Sequence, residues 1–142
     1  MLTNLLLPPL LALMLGGYIG VKPKPAAQLL TQKAWILTST GVDENRNGLI
    51  DAIEESICEC EKDNCYKFNV NGTGLVEESS LECGNGVLEM PFCWRLVNND
   101  TAIDCNNAHF KILRLSEDEL IIYQEISGEK IQPLKIISRF RH

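Results

Sequence analysis

Cys65-Tyr-Lys-Phe-Asn-Val-Asn-Gly-Thr-Gly-Leu-Val-Glu-Glu78 is the stretch that decides the fold. Tyr66, Phe68 and Val70 alternate with Cys65, Lys67 and Asn69, which is the period of a strand with one buried face. Asn71-Gly72 then supplies two residues that tolerate positive φ, the requirement of a two-residue hairpin turn. Thr73 to Glu78 reads as the return strand. The unit is an antiparallel hairpin, and it sets the grammar for the rest of the chain.

The same grammar continues downstream. Ser79 to Met90 is a polar, glycine-containing loop. Phe92 to Val97 is a strand, turned by Asn98-Asn-Asp100 into Ala102-Ile-Asp104. His109 to Leu115 follows, then the turn Ser116-Glu-Asp118, the strand Glu119 to Ile126, the turn Ser127-Gly128 and a last run from Lys130 to Phe140. Upstream, Lys33 to Thr40 is rich in β-branched and aromatic residues and reads as a first strand. About eight short strands separated by turns predict an all-β, antiparallel up-and-down barrel. Pro133 cannot donate to a ladder, so it belongs at a bulge or an edge. The candidate inner wall is Trp35, Leu37, Phe68, Leu75, Phe92, Trp94, Phe110, Ile112, Leu120, Ile122 and Ile136. Any barrel needs such residues as core. Trp35, Phe68, Trp94 and Phe110 are the candidates for ligand contact, and Trp35 is also placed to plug one end.

Between the first strand and the hairpin lies Asp43-Glu-Asn-Arg-Asn-Gly-Leu-Ile-Asp-Ala-Ile-Glu54. Asp43, Asn45, Asn47, Asp51 and Glu54 fall at positions one, three, five, nine and twelve of a calcium loop. Leu49 offers its carbonyl at position seven, and Gly48 occupies the sharp turn at position six. Calcium takes six to eight hard oxygen ligands, so alternate side chains of a tight turn must converge on one point. The preceding segment is a strand, and only the exit, Ile50 to Ile57, reads as helical. The expected site is therefore strand–loop–helix, with one short helix after the first strand. Two of its side-chain ligands are neutral amides, which points to weak affinity, on the order of 0.1–1 mM. The alternative is an Asn/Asp/Gly-rich surface turn without metal.

Leu5 to Val21 is almost wholly apolar, broken by Pro8-Pro9, and is followed by Lys22-Pro-Lys-Pro25. It is short for a membrane span and suits a signal-peptide core or an N-terminal apolar anchor. The expected organisation is thus 1–27 as signal or anchor and 28–142 as the barrel, exported to the periplasm, cell envelope or medium. The chain carries 13 Lys and Arg against 19 Asp and Glu. Lys22 and Lys24 are the only charges in the first 27 residues, so the barrel region is the more acidic part. That balance argues against nucleic acid as a partner.

Six cysteines, Cys58, Cys60, Cys65, Cys83, Cys93 and Cys105, lie in the exported part. An even count there suggests three disulfides. Cys93 and Cys105 are equidistant from Asn99, which would set them opposite each other in a hairpin. Otherwise spacing leaves the pairing open.

From Leu29 to Ser138 the chain resembles the bacterial lipocalin-like domains of secreted and outer-envelope proteins of Bacteroidetes. The shared features are Leu29-Leu30 with Lys33 and Trp35, the Asn/Asp/Gly insertion at 43–51, Cys60-Glu-Lys-Asp63, Tyr66-x-Phe68-x-x-Asn71-Gly72-Thr73, Cys83, Trp94-x-Leu96 and Leu115-Ser-Glu-Asp-Glu-Leu120. Ala34 stands where that family usually has a glycine, and Cys58, Cys65, Cys93 and Cys105 are additions. The resemblance implies Cys60–Cys83 and Cys93–Cys105, leaving Cys58–Cys65.

Function follows from the barrel. The leading expectation is a monomeric, secreted or envelope-associated binding protein for a small apolar ligand, with a structural calcium loop. The alternative is a filled barrel whose outer surface meets an envelope protein. A membrane contact would come only through an uncleaved N-terminal segment. No catalytic constellation is read: His109 and His142 are the two histidines, and neither a nucleophile elbow nor a phosphate loop is present. Asn71-Gly-Thr73 and Asn99-Asp-Thr101 have the form of glycosylation sequons and are read as turn chemistry.

Overall fold

Alternation turns into closure. The computed structural model describes residues 20–78, 89–127 and 132–142. Within them a short helix α1 (Ala26–Thr31) precedes eight strands: β1 (Trp35–Asp43), β2 (Cys65–Phe68), β3 (Thr73–Glu77), β4 (Glu89–Val97), β5 (Ala102–Cys105), β6 (Ala108–Leu115), β7 (Glu119–Ile126) and β8 (Leu134–Arg141). Each strand pairs antiparallel with the next, and β8 returns to β1, so the sheet is a closed barrel. Pro133 falls just before β8 rather than inside it. Register shifts between Leu37 and Ser39 and between Ile112 and Arg114 leave Thr38 and Leu113 as extra residues. Bulges of this kind bend a strand and help a sheet curl.

One end is plugged. Trp35 and Leu30 are fully buried. The Trp35 indole Nε1–H donates to the Leu30 carbonyl at 3.0 Å. The His142 ring lies 3.9 Å from the Trp35 ring, centroid to centroid. His142 Nδ1 also donates to the Ala34 carbonyl at 2.7 Å. Burial of a side chain the size of Leu30 is worth roughly 1.5–3 kcal/mol, so α1 is held on by its apolar contact. Trp94, Ile103, Leu120 and Phe140 complete the core beside the plug.

The order of helix and strand differs from the expectation. The α-helix stands before β1. After β1 there is one turn of 3-10 helix, Glu59–Glu61. Ile50 to Ile57 is not helical: 52–54 form a turn, and Glu55 makes an isolated antiparallel bridge with Gly41. The cause is a gap in the barrel wall. β1 and β2 share only two register pairs, Trp35 with Tyr66 and Ile36 with Cys65. Beyond them the edge of β1 needs partners. Ser56 N–H donates to the Thr40 carbonyl, and the Glu55 carboxylate accepts from Thr40 N–H and Ser39 Oγ. Residues 54–56 serve the β1 edge instead of a helix.

The hairpin turn is one residue longer than expected. Phe68 pairs with Gly74, and Asn69 N–H donates to the Thr73 carbonyl. The loop is Val70-Asn-Gly72 with Gly72 at φ 84°, a three-residue hairpin closed by a glycine in the left-handed region. Leu75 therefore faces outward, and Gly74 and Val76 take the inner positions.

Candidate functional site

Inside the barrel is a cavity of about 290 Å³. Half of its wall residues are aromatic: Tyr66 and Phe68 from β2, Phe92 from β4, Phe110 from β6 and Phe140 from β8, with Leu37, Val76, Cys105, Ile122 and Ser138 between them. The rings meet edge to face. Tyr66 and Phe140 are 5.1 Å apart, and Phe68 and Phe92 are 5.3 Å apart, both at 78°. Such packing sets the quadrupoles favourably and fixes the wall. Ser138, the hydroxyl on this wall, shares a hydrogen bond of 2.9 Å between its Oγ and Thr40 Oγ1.

Gly74 makes this wall possible. It stands opposite Phe92 in the β3–β4 ladder, and the ring occupies the place a side chain would take. Burial raises the Tyr66 phenol above its usual range, and the charge of Glu61 adds to that. Burial likewise pushes the Cys105 thiol up to about 11, helped by Asp104. A thiol held neutral in this way is a packing group, not a nucleophile.

Of the four residues expected to touch a ligand, Phe68 and Phe110 line the cavity. Trp35 and Trp94 lie below it, in the plugged end. The Trp94 indole donates to the Asn69 and Thr73 carbonyls at 3.1 and 2.9 Å, which locks the ring to the hairpin. Tyr66, Val76, Cys105, Ser138 and Phe140 were not among the expected wall residues. Period-two counting from Phe68 reaches Tyr66, and from Ile136 it reaches Ser138 and Phe140, so the signal was present.

The cysteines need correction. Cys58, Cys65, Cys93 and Cys105 are free thiols. The β4–β5 ladder pairs Val97 with Ala102 and Trp94 with Cys105, and Cys93 N–H bonds the Asn106 side chain. The centre of the turn thus falls between Asn99 and Asp100, not on Asn99. One residue of slip puts Cys93 outside and Cys105 inside, and side chains on opposite faces cannot join. Cys58 and Cys65 do not pair either: Cys58 caps the 3-10 turn, and Cys65 begins β2 on its outward face. Cys60 carries a disulfide. Cys83, the partner the resemblance implies, lies outside the described residues.

The Asp43–Glu54 loop folds back over the outer face of β1 and β8. Asp43 is 3% exposed and Ile137 of β8 is buried beneath the loop. Gly41 has no room for a side chain because the Glu54 carbonyl lies against it. The candidate ligands converge. Asn45 Nδ2 and Asn47 Nδ2 both donate to Asp51 Oδ2, at 2.7 and 3.1 Å. The Asp43 carboxylate accepts from the Asn47 and Gly48 backbone N–H groups. Glu54 reaches back to the N–H groups of Glu44, Asn45 and Asp51. Gly48 has φ 80°, and Arg46 is also left-handed at φ 62°. Asp43, Asn45, Asn47, Asp51 and Glu54 are thus gathered in one small turn, their carboxylates accepting from donors of the loop itself, and among the described residues no group of three or more His, Cys, Asp or Glu side chains is placed to hold a metal ion. Leu49 is half exposed at the tip. The Arg46 guanidinium bonds Gln132, which ties the loop to the start of β8.

On the opposite flank, the His109 imidazole and the Arg95 guanidinium share Asp104 on the outer wall. Hydrogen bonds from His109 and from Arg95, with the charge of the Arg95 guanidinium, hold the Asp104 carboxyl below its usual range. The three groups form a surface ion cluster, and nothing there faces the cavity. No helix among the described residues is long and apolar enough to cross a membrane. The apolar segment Leu5–Val21 lies largely outside them. A scan of protein-family models and a search of curated proteins both return no match for this chain.

Proposed function

We propose that this chain is a lipocalin-like binding protein that carries one small apolar ligand inside its barrel. The observation that carries the reading is the aromatic cavity. Ring-lined space of about 290 Å³ falls just below the span of ligand pockets, which run roughly 300–1,000 Å³, and so suits only a small ligand. A barrel selected only to fill itself would let its side chains interdigitate to interior density. Here five rings frame open space, and a glycine is placed to hold one of them in position.

Calcium belongs to the proposal. The donor set is all oxygen, with three carboxylates and two amides around a glycine turn, which suits a hard cation. Asp43, Asn45, Asn47, Asp51 and Glu54 would supply side-chain oxygens and Leu49 its carbonyl. The ion would fix the loop on β1 and β8 as a structural element. Export to an oxidising compartment is likewise proposed, supported by the disulfide at Cys60. The reading assigns the protein no reaction.

The test is uptake of a neutral naphthyl dye by the folded protein, together with native mass spectrometry of freshly purified material. Dye fluorescence that rises on binding and falls with Phe110→Trp, which fills the cavity, is the expected result. Absence of uptake by the folded protein overturns the carrier reading.

A further inference from the structure

We propose that the cavity takes an amine: a ligand with an apolar, ring-sized body and an ammonium head held at the mouth by Glu78 and Asn64. The proposal rests on the carrier reading above and specifies its ligand.

The β2–β3 ladder ends at the unplugged side with the pair Cys65 and Glu77. Asn64 and Glu78 are the residues next to that last pair, just outside the two strands. Tyr66 and Val76, one inward-facing pair deeper, line the cavity. Strand alternation carries the inner face from Tyr66 and Val76 to Asn64 and Glu78. Asn64 is 4% exposed. Its Oδ1 and the Oε2 of Glu78 are both buried without a hydrogen-bond partner among the described residues. Native proteins seldom leave such groups unpaired, because a buried acceptor without a donor is costly and a charged one more so.

The two orphans are of one kind. Both are acceptors, and one is a carboxyl group. A ligand that completes them must bring donors, and an ammonium brings three and no acceptor. The surroundings favour a cation further. The charge of Glu61 is felt at the Tyr66 phenol, so the mouth is acidic on more than one side. The chain's net charge of −6 draws cations towards it. Below the mouth, the faces of Tyr66, Phe68 and Phe92 suit the apolar body and attract a cation that rests on them. A carboxylate ligand meets the reverse situation: it would add an acceptor to acceptors.

The experiment is competition against the naphthyl dye with three compounds of similar size: phenethylamine, ethylbenzene and hydrocinnamate. In the wild-type protein phenethylamine is expected to displace dye at roughly ten- to a hundredfold lower concentration than ethylbenzene, with hydrocinnamate the weakest. Glu78→Gln should bring amine and hydrocarbon to near parity while ethylbenzene binding stays unchanged. Asn64→Asp adds a charge at the same place and should widen the amine preference, so the test survives if Glu78→Gln does not fold. Equal displacement by all three compounds overturns the amine proposal and leaves the carrier reading standing. A preference that neither variant alters overturns the assignment to Glu78 and Asn64. Failure of the dye to bind at all removes the carrier reading, and this proposal with it.

Discussion

Gly74 stands opposite Phe92 across the β3–β4 ladder, and an ideal Cβ on Gly74 would lie 2.1 Å from the ring. The pair is one shape divided between two strands. Gly74→Ala must displace the ring into the cavity or push the strands apart. Overpacking of this kind typically costs about 1–3 kcal/mol. Urea unfolding should show the loss, and dye uptake should fall with it. Wild-type stability and wild-type uptake in Gly74→Ala would mean that Phe92 has room elsewhere and does not frame the cavity.

The register of β4 and β5 makes a chemical prediction. Cys93 lies on the outside and Cys105 in the wall of the cavity, so the two thiols should behave differently. At pH 8 iodoacetamide should label Cys58 and Cys93 readily and leave Cys105 untouched. Cys105 becomes reactive only as the pH nears its raised value of about 11. A bound apolar ligand should delay it further. Peptide mapping after oxidation that recovers Cys93 joined to Cys105 would contradict the observed ladder.

The calcium proposal is a stability prediction. A metal that binds only the folded state stabilises by mass action. With a dissociation constant of about 0.1–1 mM, 10 mM calcium should add roughly 1.4–2.7 kcal/mol. The melting temperature should rise accordingly, and Asp43→Ala or Glu54→Ala should abolish the response. An unchanged melting curve at 10 mM calcium would show that the loop closes on its own hydrogen bonds alone.

Glu55 gives a pH dependence. Partial burial by itself raises its pKa, but hydrogen bonds from Ser39, Thr40, Ile57 and Ser56 outweigh that and hold it below its usual 4.5. A depressed carboxyl stabilises the fold above its unfolded pKa and loses that contribution as the pH falls through the folded value. Stability should therefore decline below about pH 4.5, and Glu55→Gln should flatten part of that slope. Urea midpoints measured from pH 6 to pH 3 will show it. Parallel acid limbs in the two proteins would exclude Glu55 as a contributor.

Trp94 tests the plugged end. Trp94→Phe preserves the ring and removes the N–H shared by the Asn69 and Thr73 carbonyls. Both carbonyls keep a backbone donor, so the loss is that of the shared indole hydrogen bond, roughly 0.5–1.5 kcal/mol, visible as a lower urea midpoint with ligand uptake retained. Loss of uptake at unchanged stability would place Trp94 in the ligand site instead.

Strand number and strand order were legible in the sequence, because period-two alternation and turn residues mark them directly. What escaped was register. The Asn71-Gly72 dipeptide has the signature of a two-residue turn, yet the loop takes three residues, and Leu75 moved from the wall to the surface. Asn98 to Asp100 suggested a centre on Asn99, yet Thr101 belongs to the loop, and Cys93 and Cys105 parted to opposite faces. In each hairpin a single residue separates two readings that local sequence supports equally, and packing of the whole barrel decides between them. The role of residues 54–56 was invisible for a similar reason. It answers a gap between β1 and β2 that exists only in three dimensions. The six-residue helix α1 was hidden by its length, and tertiary burial of Leu30 rather than helix propensity holds it.

The plug around Trp35 bears on how the protein comes to fold. Its ring is enclosed by Leu30 from before the first strand and by His142 from beyond the last, and His142 bonds Ala34 across a separation of 108 residues. The β1–β8 seam joins the same distant segments. A chain emerging from the ribosome can form its central hairpins as it goes, but it cannot seat Trp35 or close the seam until β8 has been released. The closing step is therefore late and non-local, and chains dominated by such contacts fold slowly. Until then the growing polypeptide holds an unsealed sheet with two open edges, the form most exposed to misassociation.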